Sequence, residues 1–397
     1  MTHRSAMDSE RRNTTPESSV AIVALTRAGG ELALELASRF EGSDCFLPAW
    51  HGMQGCRSFD RLGDLLPGIW ESYDGIVCIM AAGIVVRLIA PLLSHKTVDP
   101  AVVVVDENGE YAVSLVSGHL GGANLLAKKV AEKVGGRAVI TTASDVRGKP
   151  AVDMVAVQEG FDIENIGMVK QISRAVLEDE ATWIYDPGGR IRPFFESFPN
   201  VMCCPGSAPS KEESPGICRS VRRGNSIDSA PVSSPDWAGQ TMEEHRFIRS
   251  VPGVWASERL APRRVRCLKL RPRNLVIGVG CNRSTASDEI VGLIRKVFLK
   301  FGLSLLSVRN LASVDLKADE QGIIEAAEIL NRPIYFYSRD EAGKISVPNP
   351  SDMVGKHIGV QSVCEATAKL SARADEILIP KQKTANATVA VARVSSP

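Results

Sequence analysis

The chain has 397 residues, enough for two or three domains with sizeable cores. Hydrophobic residues make up 44% and charged residues 23%, ordinary values for a globular protein. The net charge of +1 provides no global field for nucleic acid, and no apolar run approaches the ~20 residues of a transmembrane helix. Residues 1–19 are polar, lack the apolar core of a secretory signal and read as a disordered tail. The nine cysteines are scattered without a CxxC pair. That pattern argues against a disulfide framework or a zinc cluster, and for a reducing, cytoplasmic setting.

Val20 to Leu25 reads as a first strand, followed by a helix from Ala28 to Arg39 with Leu32, Leu34, Leu36 and Ala37 at helical spacing. Asp44 to Leu47 is a short strand, and His51 to Asp60 reads as a loop. Gly75 to Met80 is a buried type of strand; Met80-Ala81-Ala82-Gly83 turns it into a helix ending near Pro91. Ala101 to Asp106 is Val-rich, and Asn108-Gly109 supplies the positive φ angles of a hairpin turn. Tyr111 to Val116 alternates as a strand does. Ala123, Leu126, Ala127, Val130, Ala131 and Val134 make one face of a helix, and Ala138 to Thr142 is a further strand. Alternating strands and helices imply a Rossmann-like three-layer α/β domain over residues 20–145, its sheet largely parallel with an antiparallel hairpin.

Residues 146–273 read as a small middle module with an insertion or linker. Trp183 to Tyr185 is a strand, but from about Cys204 to Arg273 Ser, Pro, Gly and Arg dominate and periodicity fades. The Arg-rich run from Arg259 to Arg273 reads as a solvated linker, with a contribution to binding an anionic ligand as its rival. Order returns in residues 274–397, a compact C-terminal α/β domain. Its elements are a strand at Leu275 to Val279, a turn at Gly280 to Thr285 and a helix carrying Ile290, Leu293, Ile294, Val297 and Phe298. Thr285, with Asp288 three residues on, is the expected N-cap. A helix follows at Glu320 to Leu330, with later strands at Pro333 to Ser338, Glu376 to Pro380 and Thr388 to Arg393.

The chemistry concentrates in Ser117-Gly118-His119-Leu120-Gly121-Gly122-Ala123-Asn124, between a strand and a helix. Three glycines and one histidine stand in five residues. A glycine-rich turn at a helix N-terminus presents free N–H groups to an anion, and an imidazole exchanges protons near neutral pH. This is not GxGxxG, and no acidic residue follows a second strand at the spacing of a dinucleotide fold; no Walker motif appears either.

The stretch DGIVCIMAAGIVVRLIAPLLSHKTVDPAVVVVDENG followed by SLVSGHLGGAN resembles the N-terminal half of the cobalt-precorrin-5A hydrolase family (CbiG-like) of anaerobic cobalamin biosynthesis. GVGCNRSTASDEI, NLASVDLKADEQGIIEAAE, VPNPS, GVQSVCEATAKL and LIPKQKTANATVAVAR are similar to that family's C-terminal signatures, in the same order. The resemblance implies a reaction. The ring A δ-lactone of a cobalt corrinoid is opened, acetaldehyde is expelled, and cobalt-precorrin-5B results. It also implies water as co-substrate and no cofactor, because the cobalt arrives inside the substrate. A non-catalytic corrinoid-binding carrier or scaffold of the same pathway is the alternative. Contacts with neighbouring pathway enzymes are expected; nucleic acid and membrane are not.

Lactone hydrolysis needs an activated water and oxyanion donors, and fragmentation needs a base for a hydroxyl proton. His119 is the first candidate for that base, with a structural turn role as its rival. Asp315 and Glu320 are further candidates, against the plain reading of acidic helix-entry residues. A disc bearing several carboxylates calls for clamps and N–H donors. Ala82, Gly83, Ser117, Gly118, Gly121, Gly122 and Asn124 are expected to supply them in the first domain. Gly280, Arg283, Ser313, Lys317, Lys381 and Lys383 are their counterparts in the last. Ligands sit beyond the C-terminal ends of strands in open α/β sheets, so the turns at Met80–Gly83, Ser117–Asn124 and Gly280–Thr285 are expected to face one cleft. Cys281 and Cys364 read as small buried apolar residues, against a role as nucleophiles or as axial contacts to the substrate's cobalt.

Overall fold

A computed structural model of the chain describes residues 19–95, 98–204, 242–349 and 362–395. The polar tail up to residue 18, Lys96 and the Ser/Pro-rich stretch 205–241 lie outside the described residues. Cα packing divides the chain into two compact units, Met1–Met154 and Val155–Pro397.

The first unit carries a seven-stranded sheet. Its strands are β1 (Val20–Ala24), β2 (Ser43–Pro48), β3 (Arg57–Phe59), β4 (Gly75–Ile79), β5 (Ala101–Val105), β6 (Tyr111–Val116) and β7 (Arg137–Val139). Their order is β3-β2-β1-β4-β5-β6-β7. β1 to β5 are mutually parallel; β6 pairs antiparallel with β5, and β7 parallel with β6. Gly109, at φ +71°, closes the β5–β6 hairpin, and Asp106 accepts from the backbone N–H groups of Asn108 and Tyr111. Side chains alternate across a strand. Ile22, Val77 and Val103 therefore pack against the helices Arg27–Arg39 and Ala123–Val134, and Ala21, Ile76 and Val102 against Leu62–Ser72 and Ala82–Ile89. The result is the expected three-layer sandwich. β3 falls inside the stretch read as a loop, because three residues are too few for alternation to register.

Cys45 and Cys56 form a disulfide across the β2–β3 connection, a single bridge in a chain whose cysteine pattern argued against a disulfide framework. Spacing had no way to show it: the pairing arises because the parallel strands return the chain to the same place.

The second unit holds two five-stranded sheets. One has the order β10-β9-β11-β12-β8, from β8 (Phe161–Ile163), β9 (Thr182–Tyr185), β10 (Val201–Cys204), β11 (Gly253–Ala256) and β12 (Cys267–Pro272). β11 and β12 lie in the stretch read as linker, so these two strands are core rather than linker, while Arg263, Arg264 and Arg266 between them are exposed. Arg271, read as part of a solvated run, is fully buried. Its Nε donates to Glu164 Oε2 at 2.6 Å, and its Nη1 to the carbonyls of Ser257 (2.7 Å) and Arg259 (2.6 Å). An arginine at a buried position erased the apolar pattern by which strands are found. Trp183 and Trp255 complete this core, Trp255 stacked on Tyr185 with ring centroids 4.1 Å apart.

The other sheet has the order β15-β14-β13-β17-β16, from β13 (Leu275–Cys281), β14 (Val308–Val314), β15 (Ile334–Tyr337), β16 (Ile379–Lys383) and β17 (Ala387–Arg393). Helices Ser287–Lys300 and Gln321–Ile329 cover one face, and Val363–Ala372 lies against the other. The N-cap of Ser287–Lys300 is Ala286, not Thr285; the Thr285 hydroxyl instead donates to the Asn282 carbonyl at 2.8 Å. Gly278 lets helix Val363–Ala372 touch the sheet: a Cβ there would run into the Cys364 carbonyl and stand 2.9 Å from the Ala368 nitrogen. Both obstacles are backbone, so nothing can rotate away. Gly278→Ala is expected to cost about 3 kcal/mol, read as a lowered urea midpoint; an unchanged midpoint would show that the helix moves freely.

Candidate active site

The glycine turn after β6 has a conformation that its residues dictate. Ser117 is left-handed at φ +60° and Gly122 at φ +86°. A side chain on Gly121 would overlap Ser117 Cβ, and one on Gly118 would stand 2.8 Å from Asn124 Oδ1. The chain folds back through Gly122 N–H to the His119 carbonyl (2.8 Å) and Asn124 N–H to the Gly118 carbonyl (3.0 Å). The Gly122 N–H therefore serves the turn itself.

Asn124, nearly fully buried, ties this turn to the segment after β7. Its Oδ1 accepts from Ser114 Oγ (2.7 Å), and its Nδ2 donates to Thr142 Oγ1 and Asp145 Oδ2, both at 3.0 Å. That seating carries His119 to three partners. Its Nε2 lies 2.9 Å from Ser144 Oγ and 3.7 Å from Asp145 Oδ2, and its Nδ1 lies 4.0 Å from Asp153 Oδ2. The imidazole is 27% exposed and can meet a ligand, while Ser144 is 6% and Asp153 2% exposed. Lys128 binds the other oxygen of Asp145 at 3.3 Å. Two buried oxygens beside this cluster have no hydrogen-bond partner, Asp153 Oδ1 and Ser117 Oγ. A buried polar atom is rarely left so unless something else occupies the site. Thr142, Ser144, Asp145 and Asp153 were not read from the sequence. They follow a three-residue strand with no recognisable spacing to His119.

The strand directions overturn one expectation. Because β6 runs antiparallel to β4 and β5, Val116 lies beside Val102 near the start of β5, whereas Ile79 lies beside Val105 at its end. The turn carrying Ala82 and Gly83 thus leaves the opposite end of the strands from His119, with three residues of strand, about 10 Å at ~3.3 Å per residue, between the two ends. The two turns do not face one cleft.

In the C-terminal sheet, β13 and β14 are parallel, so Arg283 and residues 315–320 emerge at one edge; Lys383, paired beside Thr388, lies at the same end. Arg283 donates to Asp319 Oδ1 (2.7 Å) and the Leu316 carbonyl (3.3 Å), and pairs with Glu320 Oε1 at 3.0 Å. The Arg283 guanidinium beside Asp319 holds that carboxyl below the usual carboxylate range. Glu320 is 5% exposed and also takes the Ser284 N–H (3.0 Å) and the buried Lys317 ammonium (3.5 Å). Arg283, Lys317 and Glu320 thus form a clamp between two turns. Asp315 is exposed, its Oδ1 accepting from the next backbone N–H. Ser313 is fully buried and donates to the Val279 carbonyl at 2.8 Å, so its hydroxyl faces the sheet and not a ligand. Gly280 lies within β13, and Lys381 offers its backbone N–H to the buried carboxylate of Glu365 at 2.9 Å.

Burial pushes the thiols of Cys281 and Cys364 up, and that of Cys78 to about 12. A neutral thiol is a poor nucleophile. Iodoacetamide at pH 7 is expected to leave Cys78 and Cys364 unlabelled in the native protein and to label both in urea, as read by peptide mapping. Rapid native labelling of Cys364 would return it to the list of nucleophiles. Among the described residues no group of three or more His, Cys, Asp or Glu side chains could hold a metal ion, and no helix is long and apolar enough to cross a membrane.

An imidazole held among a hydroxyl and two carboxylates at a strand-end turn has the side chains of an acid–base hydrolytic enzyme. The family model Cobalamin synthesis G N-terminal matches residues 64–145, Cobalamin biosynthesis central region 150–272, and Cobalamin synthesis G C-terminus 275–392. A cobalt-precorrin-5A hydrolase from Priestia megaterium is 32% identical over 386 residues, 96% of this chain and 96% of that protein. Another of that name from Salmonella typhimurium is 29% identical over 90% of this chain and 93% of its own length. Protein CobE from Sinorhizobium sp. is 34% identical over 121 residues, 30% of this chain and 79% of that protein. The chain belongs to the cobalamin synthesis G family.

Proposed function

We propose that the chain is a cobalt-precorrin-5A hydrolase of cobalamin biosynthesis, opening the ring A δ-lactone of its cobalt corrinoid and releasing acetaldehyde. The observation that carries this reading is the relationship to a protein of that name along 96% of both chains. Water is the co-substrate, cobalt belongs to the substrate, and no further cofactor takes part. His119 is the proton-transfer group, and its part-exposed ring at hydrogen-bond distance from a hydroxyl supports that role. Ser117, Gly118, Gly121, Gly122 and Asn124 build and hold its turn. In the C-terminal domain, the exposed side chains of Arg283 and Lys383 fit carboxylate clamps. A cytoplasmic location and transfer of the macrocycle between this chain and neighbouring pathway enzymes belong to the same reading.

The test is anaerobic incubation of the purified chain with the lactone-form cobalt corrinoid while aldehyde is trapped. Acetaldehyde in step with loss of the lactone is the expected result. Corrinoid binding with no aldehyde would replace the hydrolase by a carrier.

A further inference from the structure

We propose that Ser144 is the nucleophile of lactone opening, with His119 as its base and Asp153 as the carboxylate that orients the imidazole. The proposal rests on the hydrolase reading and adds a covalent intermediate to it. Ser144 Oγ stands 2.9 Å from His119 Nε2, within reach for proton transfer. On the far side of the ring, Asp153 Oδ2 faces Nδ1 at 4.0 Å. Hydroxyl, imidazole and carboxylate thus lie in the order that activates a serine, and that order is recognised by geometry and not by sequence position.

The two carboxylates at this histidine are distinguished by what else they hold. Asp145 has both oxygens engaged, Oδ2 by Asn124 and Oδ1 by Lys128, so it pins the glycine turn to the following segment. Asp153 is almost wholly buried, and its Oδ1 has no hydrogen-bond partner. A buried carboxylate left so is costly unless a neighbouring charge or donor offsets it. The imidazolium that forms when His119 takes the serine proton is such a charge. Ser117 Oγ, also buried without a partner, stands in the same turn as a donor not yet used.

The chemistry balances. As Ser144 Oγ bonds to the lactone carbonyl carbon, its proton passes to His119 Nε2 and the carbonyl π pair moves onto oxygen. Collapse of that adduct breaks the ring C–O bond, and the departing oxygen takes the proton from His119 to become a hydroxyl. The acetate side chain is now an ester of Ser144. Water attacks the ester carbonyl, giving a proton to His119, which returns it to Ser144 Oγ as the carboxylic acid leaves. One water is consumed, and no oxidant or reductant is involved. The freed hydroxyl is the group whose deprotonation then expels acetaldehyde, with the electrons accepted by the macrocycle.

The experiment is acid quenching of the full chain during its first turnovers on the lactone-form cobalt corrinoid, followed by digestion and mass mapping, on wild type and on Ser144→Cys. Cysteine can accept the same acyl group, and its thioester survives acid. A substrate-sized adduct on residue 144 in either protein is the expected result, with turnover of Ser144→Ala down by about 10²-fold or more. Asp153→Asn is expected to lower kcat by a similar factor and leave KM within about threefold, as a positioning residue would. Acetaldehyde release by wild type with no adduct in either protein overturns the serine nucleophile and leaves the hydrolase reading standing. Failure of wild type to open the lactone at all overturns the hydrolase reading and this proposal with it.

Discussion

His119→Ala is expected to slow acetaldehyde release by about 10²-fold or more, the usual cost of losing a general acid–base group. KM should stay within about threefold, because the imidazole is spent on proton transfer and not on holding the macrocycle. The variant should also fold. The ring is 27% exposed, and the turn around it is held by backbone bonds and by Asn124, none of which needs the imidazole. The measurement is single-turnover aldehyde trapping on matched, folded protein. Similar rates from both proteins would move the base elsewhere. Asp315 would be the first place to look, since it is exposed, whereas Glu320 is bound up by Arg283, Lys317 and the Ser284 N–H. Glu320→Gln should accordingly loosen the junction of two turns more than it changes any chemical step.

Glu164→Gln is expected to cost about 1–3 kcal/mol of stability, the scale for leaving a buried donor without its acceptor, because Arg271 is fully buried while the Glu164 side chain is 25% exposed. Arg271 is fully buried, so removing the carboxylate strands a guanidinium inside a sheet. Its bonds to the Ser257 and Arg259 carbonyls remain but carry no counter-charge. Urea unfolding followed by tryptophan fluorescence reads this module directly, because Trp183 and Trp255 sit in its core. Replacing both partners together, Glu164→Leu with Arg271→Met, should recover much of the loss, since an apolar pair of similar volume needs no desolvated charge. A single variant as stable as wild type would show that the pair contributes nothing.

The same carboxylate sets a pH dependence. Desolvation raises its pKa, but the hydrogen bonds and charges of Lys269 and Arg271 outweigh that and hold it below the usual range. A group whose folded pKa is depressed adds stability above its unfolded value and loses it as pH falls through the folded one. Wild-type stability should therefore decline as pH drops below about 4.5, and part of that decline should be missing in Glu164→Gln.

What could be read in advance was whatever is local. β4 and β5 declared themselves by continuous apolar runs, and the helix Ala123–Val134 by its spacing. The β5–β6 hairpin showed in Asn108-Gly109, because a backbone that needs positive φ selects its residues. The middle sheet showed only at Trp183 to Tyr185, within β9. β11 and β12 are short, and Lys269 and Arg271 occupy places where a pattern reader wants apolar residues. Their compensation lies in Glu164, more than 100 positions away.

The sequence by itself determined the α/β architecture, the glycine turn with its histidine and, through a resemblance running in order along both ends of the chain, the family. Only the tertiary structure decided what His119 touches. Ser144 and Asp153 reach it because β6 and β7 run side by side in parallel and deliver two successive connections to one end of the strands. The same register put the turn of Ala82 and Gly83 at the other end, since one hairpin reverses every strand after it. Periodicity and turn chemistry report on neighbours a few residues apart. Strand direction and register act over tens of residues, and no local pattern encodes which side chains they bring together.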